Sequence, residues 1–236
     1  MLNVLLIEAD NQRNLGGSCV RDLKNIDSYL DKCSIERRST IVLSICDISN
    51  IRMKNEYLYD SLTNYKNIFD KFCDDIKDGD SAFIMISGHG YQKYQKYQKC
   101  DNKELDGMDE YISYNNGIIT DNDIYQLLIK KIKKKCKRIV CLSDTCHSGT
   151  MFDLDNNDNN DNKNTISLSG CQDNELSSCD ISDVGFGGSL TVHLLSINNS
   201  LNKLLNSDIE EIRRDIYDSL KSILKFLGQV PILNYI

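Results

Sequence analysis

Short apolar runs alternate with amphipathic segments along this chain, and the two kinds differ in period. NVLLIEA from Asn3, TIVLSICDI from Thr40, AFIMIS from Ala82 and RIVCLS from Arg138 are compact runs rich in branched side chains. Such runs suit strands buried on both faces. Residues 19–30, 56–76 and 121–135 instead space their apolar side chains three and four apart, which predicts helices. Strand and helix in alternation predict an α/β fold, a mostly parallel central sheet flanked by helices in three layers. TISLSG from Thr165 reads as another strand, and residues 190–205 and 209–227 as helical. QVPILNYI reads as a final strand at a sheet edge, because Pro231 has no N–H to give to a ladder.

Two low-complexity tracts interrupt this order. YQKYQKYQK (91–99) and DLDNNDNNDNKN (153–164) are too polar to bury and are expected to be exposed linkers. The second separates residues 1–152, which resemble a large subunit, from residues 165–236, which resemble a small one, within a single domain 1–236.

Composition narrows the class. With 236 residues and 40% hydrophobic positions the chain can build one sizeable core. A net charge of −7 argues against nucleic acid and anionic membranes as partners and favours cationic ones. The start, MLNVLLIEAD, has neither a basic leader nor a small-residue cleavage site. No stretch approaches the roughly 18 apolar residues of a membrane span. The ten cysteines lie singly within apolar runs, as small buried hydrophobes of a reducing, cytoplasmic compartment do.

The chemistry gathers at two strand ends. AFIMIS is followed by GHG, and RIVCLS by DTCHSG. Sites in open α/β sheets form outside the carboxyl ends of the strands, so neighbouring strands would bring His89 to Cys146. A cysteine nucleophile needs a base and donors for an oxyanion. Of the three histidines, His147 adjoins Cys146 and points elsewhere on an extended chain, and His193 sits in an amphipathic run. His89 lies between two glycines, where backbone can approach a ligand closely, and is the preferred base. Cys146 read alone is equally a buried structural thiol. A zinc site of Cys136, Cys141, Cys146 and His147 lacks the paired two-residue spacers such sites use.

These residues resemble the metacaspases of the caspase-like clan, in which one strand ends in SGHG and a later one in Asp, Cys and HSG. The interval from His89 to Cys146 is near the roughly 50 residues of caspase-type enzymes. LGGSCVRD, LDGMDEYI, ITDNDI, SLSGC and the terminal QVP extend the resemblance over nearly the whole chain. It implies a cysteine endopeptidase with Cys146 as nucleophile, His89 as general base, and the N–H groups of Gly90 and Cys146 as oxyanion donors. It also implies an acidic pocket of Asp22 and Asp144, with Cys19 and Ser87 beside them, that selects Arg or Lys before the scissile bond. Two facing carboxylates repel unless a cation enters between them, which agrees with that selection.

The resemblance further implies activation by calcium held by Asp121, Asp123, Asp153 and a carboxylate of LDGMDE, Asp106 or Asp109, of which Asp109 is preferred. Asn122 stands where the family has an acid. Asn174, Glu175 and Leu176 replace a further acid and Gln-Thr, and Thr145 replaces a frequent cysteine. Lys163, in the Asn/Asp tract, is the expected point of self-cleavage, with YQK and KKIKKKCKR as competing sites. Protein or peptide substrates and a monomeric state are expected. The alternatives are a catalytically inactive binding or decoy module and an Asp-specific caspase, which would need basic rather than acidic pocket residues.

Overall fold

The computed structural model of the chain describes residues 1–10, 15, 17–44, 56–59, 64–94, 108–114, 117–152, 154, 164–177, 179–182 and 185–235. In chain order the strands are β1 (Leu2–Ala9), β2 (Arg37–Leu43), β3 (Glu56–Tyr59), β4 (Ser81–Gly88), β5 (Gly90–Tyr94), β6 (Met108–Tyr114), β7 (Gly117–Thr120), β8 (Arg138–Thr145), β9 (Thr165–Ser169), β10 (Cys179–Ser182), β11 (Gly185–Gly188) and β12 (Ile232–Tyr235). The helices are α1 (Ser18–Lys32), α2 (Tyr65–Asp75), α3 (121–132), α4 (Ser189–Ser196), α5 (Ser200–Asn206) and α6 (209–226). One turn each of α3 and α6 is π-helical, Tyr125–Ile129 and Arg213–Tyr217.

Seven strands form the central sheet in the order β12-β9-β8-β4-β1-β2-β3. All pair in parallel except β12, which runs antiparallel to β9 at the edge. Alternate side chains of each strand enter opposite cores. Leu5 and Ile7 of β1, Ile84 and Ile86 of β4 and Cys141 of β8 meet α2 and α3 on one face. Val4, Leu6, Phe83, Met85, Val140 and Leu142 meet α1, α4, α5 and α6 on the other. This is the three-layer α/β sandwich expected from the alternating pattern, of the caspase-like kind that the resemblance implied. Each fully buried aliphatic or aromatic side chain contributes about 1.5–3 kcal/mol to holding the layers together.

Residues 56–76 form a strand and a helix, where one helix was expected. Glu56–Tyr59 extends the sheet beside β2, with Thr40 opposite Glu56 and Leu43 opposite Tyr59. The helix begins only at Tyr65, where the Asn64 side chain accepts the Lys66 N–H at 2.9 Å as an N-cap. Over four residues the apolar spacing fits either period, and the open edge of β2 decides between them. Residues 190–205 likewise divide into α4 and α5 at Asn199, which is left-handed at φ 58. The antiparallel β5-β6-β7 sheet and the β10-β11 hairpin were not expected from the sequence. The anticipated linker, apart from Leu154 and Asn164, and the 95–99 part of the YQK repeat lie outside the described residues.

Register fixes the site. Ala9 of β1 lies opposite Gly88 of β4, and Gly88 opposite Thr145 of β8. The residues that follow these three, Asp10, His89 and Cys146, therefore emerge together at the carboxyl edge of the sheet.

Candidate active site

Gly88 sets the direction in which the chain leaves β4. Its φ is 146, and a Cβ there would fall 2.5 Å from the Ala9 carbonyl carbon. The His89 N–H then donates to the Ala9 carbonyl at 3.0 Å, which ties His89 to β1. Gly90 is pressed onto the Cys146 backbone, since a Cβ there would lie 2.0 Å from the Cys146 carbonyl oxygen. The Cys146 thiol, partly exposed, contacts the Ser177 carbonyl at 3.7 Å. His147 turns the other way: its N–H donates to the Glu175 carbonyl and its ring meets the Asp173 carbonyl.

His89 and Cys146 share a cavity of about 170 Å³ with Leu15, Cys19, Asp22, Ser87, Asp144 and Ser177. The two carboxylates of this cavity come from different elements, Asp22 from α1 and Asp144 from β8. Ser87 Oγ donates to Asp22 at 2.7 Å, and the Gly188 N–H reaches its two oxygens at 2.9 and 3.0 Å. Asp144 accepts from Thr191 N–H at 2.8 Å, Thr191 Oγ1 at 2.7 Å and Ser177 Oγ at 3.1 Å. The Thr191 amide belongs to the first turn of α4, whose exposed N–H groups favour an anion. Burial, and then the charge of Asp144, push the Asp22 carboxyl well above the usual carboxylate range, against the pull of Ser87 and Gly188. Asp144 is also raised by burial, with Thr191 and Ser177 opposing. Cys19 lines the same cavity, and burial pushes its thiol far up, so it is no rival thiolate. Arg21, the neighbour of Asp22, is exposed.

A family model for the metacaspase, peptidase C14 domain matches residues 4–155. The chain belongs to the metacaspase family. Metacaspase-1B of Neurospora crassa is 29% identical over 147 residues, which are 61% of this chain and 32% of that protein. Metacaspase III c of Phaeodactylum tricornutum is 31% identical over 142 residues, 58% of this chain and 38% of that one. The chain thus spans about a third of the length of the curated relatives it matches. Protein GSU0716 from Geobacter sulfurreducens shares the fold, with a TM-score of 0.56 at 20% identity over 100% of this chain and 92% of that one.

The described acidic residues expected to hold calcium in a metacaspase have protein partners of their own. Asp121 is fully buried and accepts the Glu110 N–H at 2.8 Å and the Asn122 N–H. Asp123 accepts the Tyr65 hydroxyl at 2.9 Å. Asp109 alternates on β6 with the inward-facing Glu110 and is half-buried, while Asp106 and Asp153 lie outside the described residues. Among the described residues no three His, Cys, Asp or Glu side chains group to hold a metal ion. The same is true of the zinc reading: Cys136 and Cys141 are buried in the hydrophobic layer under α3.

Sequence reasoning passed over Glu110, one position beyond Asp109 in the same motif. It is fully buried, accepts Thr150 Oγ1 at 2.6 Å and Gln92 Nε2 at 2.7 Å, and is pushed up to about 7 by burial and by Asp173 and Asp121. The alternation of β6 is the signal that would have found it. Thr191, Ser177 and Gly188 were missed for another reason: they reach the pocket from far along the chain and carry no motif of their own. The replaced family residue Glu175 works away from the cavity, accepting the Gln172 and Val230 N–H groups at 3.0 and 2.9 Å. Leu176 is 68% exposed at the cavity rim.

Proposed function

We propose that the chain is a cysteine endopeptidase that cleaves after Arg or Lys, and the meeting of Asp22 and Asp144 in the cavity of His89 and Cys146 carries this reading. A guanidinium or ammonium group entering between two buried carboxylates would relieve their repulsion and take charge-assisted hydrogen bonds. An Asp side chain would meet like charge.

His89 takes the proton of the Cys146 thiol, and the thiolate attacks the carbonyl carbon of the scissile bond. The Gly90 and Cys146 N–H groups are the proposed donors to the oxyanion, each worth about 100- to 1,000-fold in rate. Collapse breaks the C–N bond as the His89 imidazolium gives its proton to the departing amine, leaving a thioester. Water, deprotonated by His89, then hydrolyses the thioester and restores the thiol.

Calcium remains the proposed activator. Asp121 and Glu110, with Asp173 beside them and Asp153 in sequence reach, form a negative neighbourhood, and hard oxygen ligands suit this ion. A cation there would offset the burial, and the charges of Asp173 and Asp121, that raise Glu110, and would brace the turn after Cys146. Cleavage after Lys163 is the proposed self-processing step.

The test is hydrolysis of fluorogenic peptides ending in Arg, Lys or Asp, with and without millimolar calcium, by wild type and Cys146→Ala. Calcium-stimulated release from the Arg and Lys peptides, abolished in Cys146→Ala, is expected. Folded wild type that cuts none of them would leave the binding or decoy module as the reading. Intact mass after calcium treatment reports the cut at Lys163, and an active enzyme that stays whole rules that step out.

A further inference from the structure

We infer that Asp10 is a third member of this site, a positioning residue that holds the His89 imidazole.

Asp10 follows β1 as His89 follows β4, and the two strands are neighbours in register, Ala9 opposite Gly88. Its side chain is 4% exposed, and Oδ1 lies 3.7 Å from His89 Nε2. That separation exceeds a hydrogen bond, but catalytic contacts in unliganded sites are often long and tighten when substrate binds.

Asp10 is held through both its side chain and its backbone. Its Oδ2 accepts the Leu15 N–H at 3.1 Å, and the Asp10 N–H donates to Glu8 Oε1 at 2.8 Å. Ser44 Oγ donates to the other Glu8 oxygen at 2.9 Å, which anchors the brace to the end of β2. A buried acid fixed this firmly has little freedom to turn away from the ring it faces.

The described titratable groups around His89 are all ones that charge negatively. Cys146 faces it from the end of β8, and the Tyr91 ring of β5 lies 6.0 Å from its own. Cys19 and Asp22 of α1 and Asp144 of β8 line the same cavity, and among the described residues that line it there is no Lys or Arg. A carboxylate at Nε2 orients the ring so that Nδ1 exchanges the thiol proton, and it stabilises the imidazolium that pairs with the thiolate. The site then works as Cys146, His89 and Asp10 together rather than as a pair.

The inference takes its meaning from the peptidase reading, but its test needs no turnover. Alkylation of Cys146 by iodoacetamide, followed by peptide mapping from pH 5 to 9.5, compares wild type, Asp10→Asn and Asp10→Ala, each also in a His89→Ala background. Without the carboxylate, thiolate formation is expected to begin about one pH unit higher, which is roughly tenfold slower alkylation at pH 6. Rates should converge at pH 9.5, where every form is thiolate. In the His89→Ala background the Asp10 substitutions should add nothing, because the effect passes through the ring.

Asp10→Asn with the wild-type profile overturns the inference, as does a loss equal at every pH, the mark of a loosened fold. An alkylation shift in a protein that cleaves no peptide would sink the peptidase reading and leave this one standing.

Discussion

Asp22 and Asp144 set function against stability within one cavity. Both carboxyls are raised by burial, so the folded protein holds their protons to higher pH than the unfolded chain does. A group raised in this way contributes stability that is fully present below its unfolded value and lost as pH rises through its folded one. Asp22→Asn is therefore expected to raise the melting temperature, and by more at pH 8 than at pH 6. The same substitution should cost at least tenfold in kcat/KM for Arg peptides, because a cation loses one of its two anionic partners. Thermal melts and peptide kinetics on one preparation test both halves. A variant less stable than wild type at pH 8 would show that the charges do not strain the pocket. For wild type, KM for Arg peptides should fall as pH rises and the pair ionises.

At the scale of elements, the pocket depends on close approach between β11 and the carboxylates of α1 and β8. A Cβ on Gly188 would fall 2.3 Å from Asp144 Oδ2, and one on Gly187 2.2 Å from Asp22 Oδ1. Neither carboxylate can retreat, since Ser87 holds one and Thr191 the other. Gly188→Ala is expected to reduce cleavage of Arg peptides by at least tenfold through KM, with the reactivity of Cys146 toward iodoacetamide unchanged. Unaltered KM in this variant would mean that β11 does not form the pocket wall. The α4 helix takes part through its first turn, where Thr191 gives both N–H and hydroxyl to Asp144. Thr191→Val keeps the amide and the shape and removes only the hydroxyl.

At the scale of the molecule, Asp80 ties together the edge of the sheet opposite the site. Its carboxylate meets the Met1 amino group, Arg38, the Asn3 side chain and the Lys77 N–H. These donors outweigh the effect of burial and hold the carboxyl well below the usual range. A lowered carboxyl contributes stability present above its unfolded value and lost as pH falls through its folded one. Asp80→Asn is thus expected to melt several degrees lower at pH 7, with the difference shrinking in strong acid. Peptide cleavage at 25 °C should be unaffected, since the substitution lies at the other ends of the strands. A change in KM without a change in melting temperature would contradict this division. Among the described residues no helix is long and apolar enough to cross a membrane.

The chain itself determined the layers and the placing of His89 and Cys146 at neighbouring strand ends. Buried strands and amphipathic helices have different periods, and SGHG and DTCHSG lie at the ends of two such strands, so local pattern was enough to read β1, β4, β8, α1 and the positions of His89 and Cys146. It could not separate β3 from α2, because four residues fit either period and only the open edge of β2 selects the strand. Nor could it reveal Asp10, Thr191, Gly188 or Glu110 as parts of the site. Their roles arise from strand register and from contacts between segments far apart in sequence, such as Gly188 with Asp22 and Thr191 with Asp144. Periodicity records which side of an element is buried, whereas the partner it is buried against exists only once the sheet has closed.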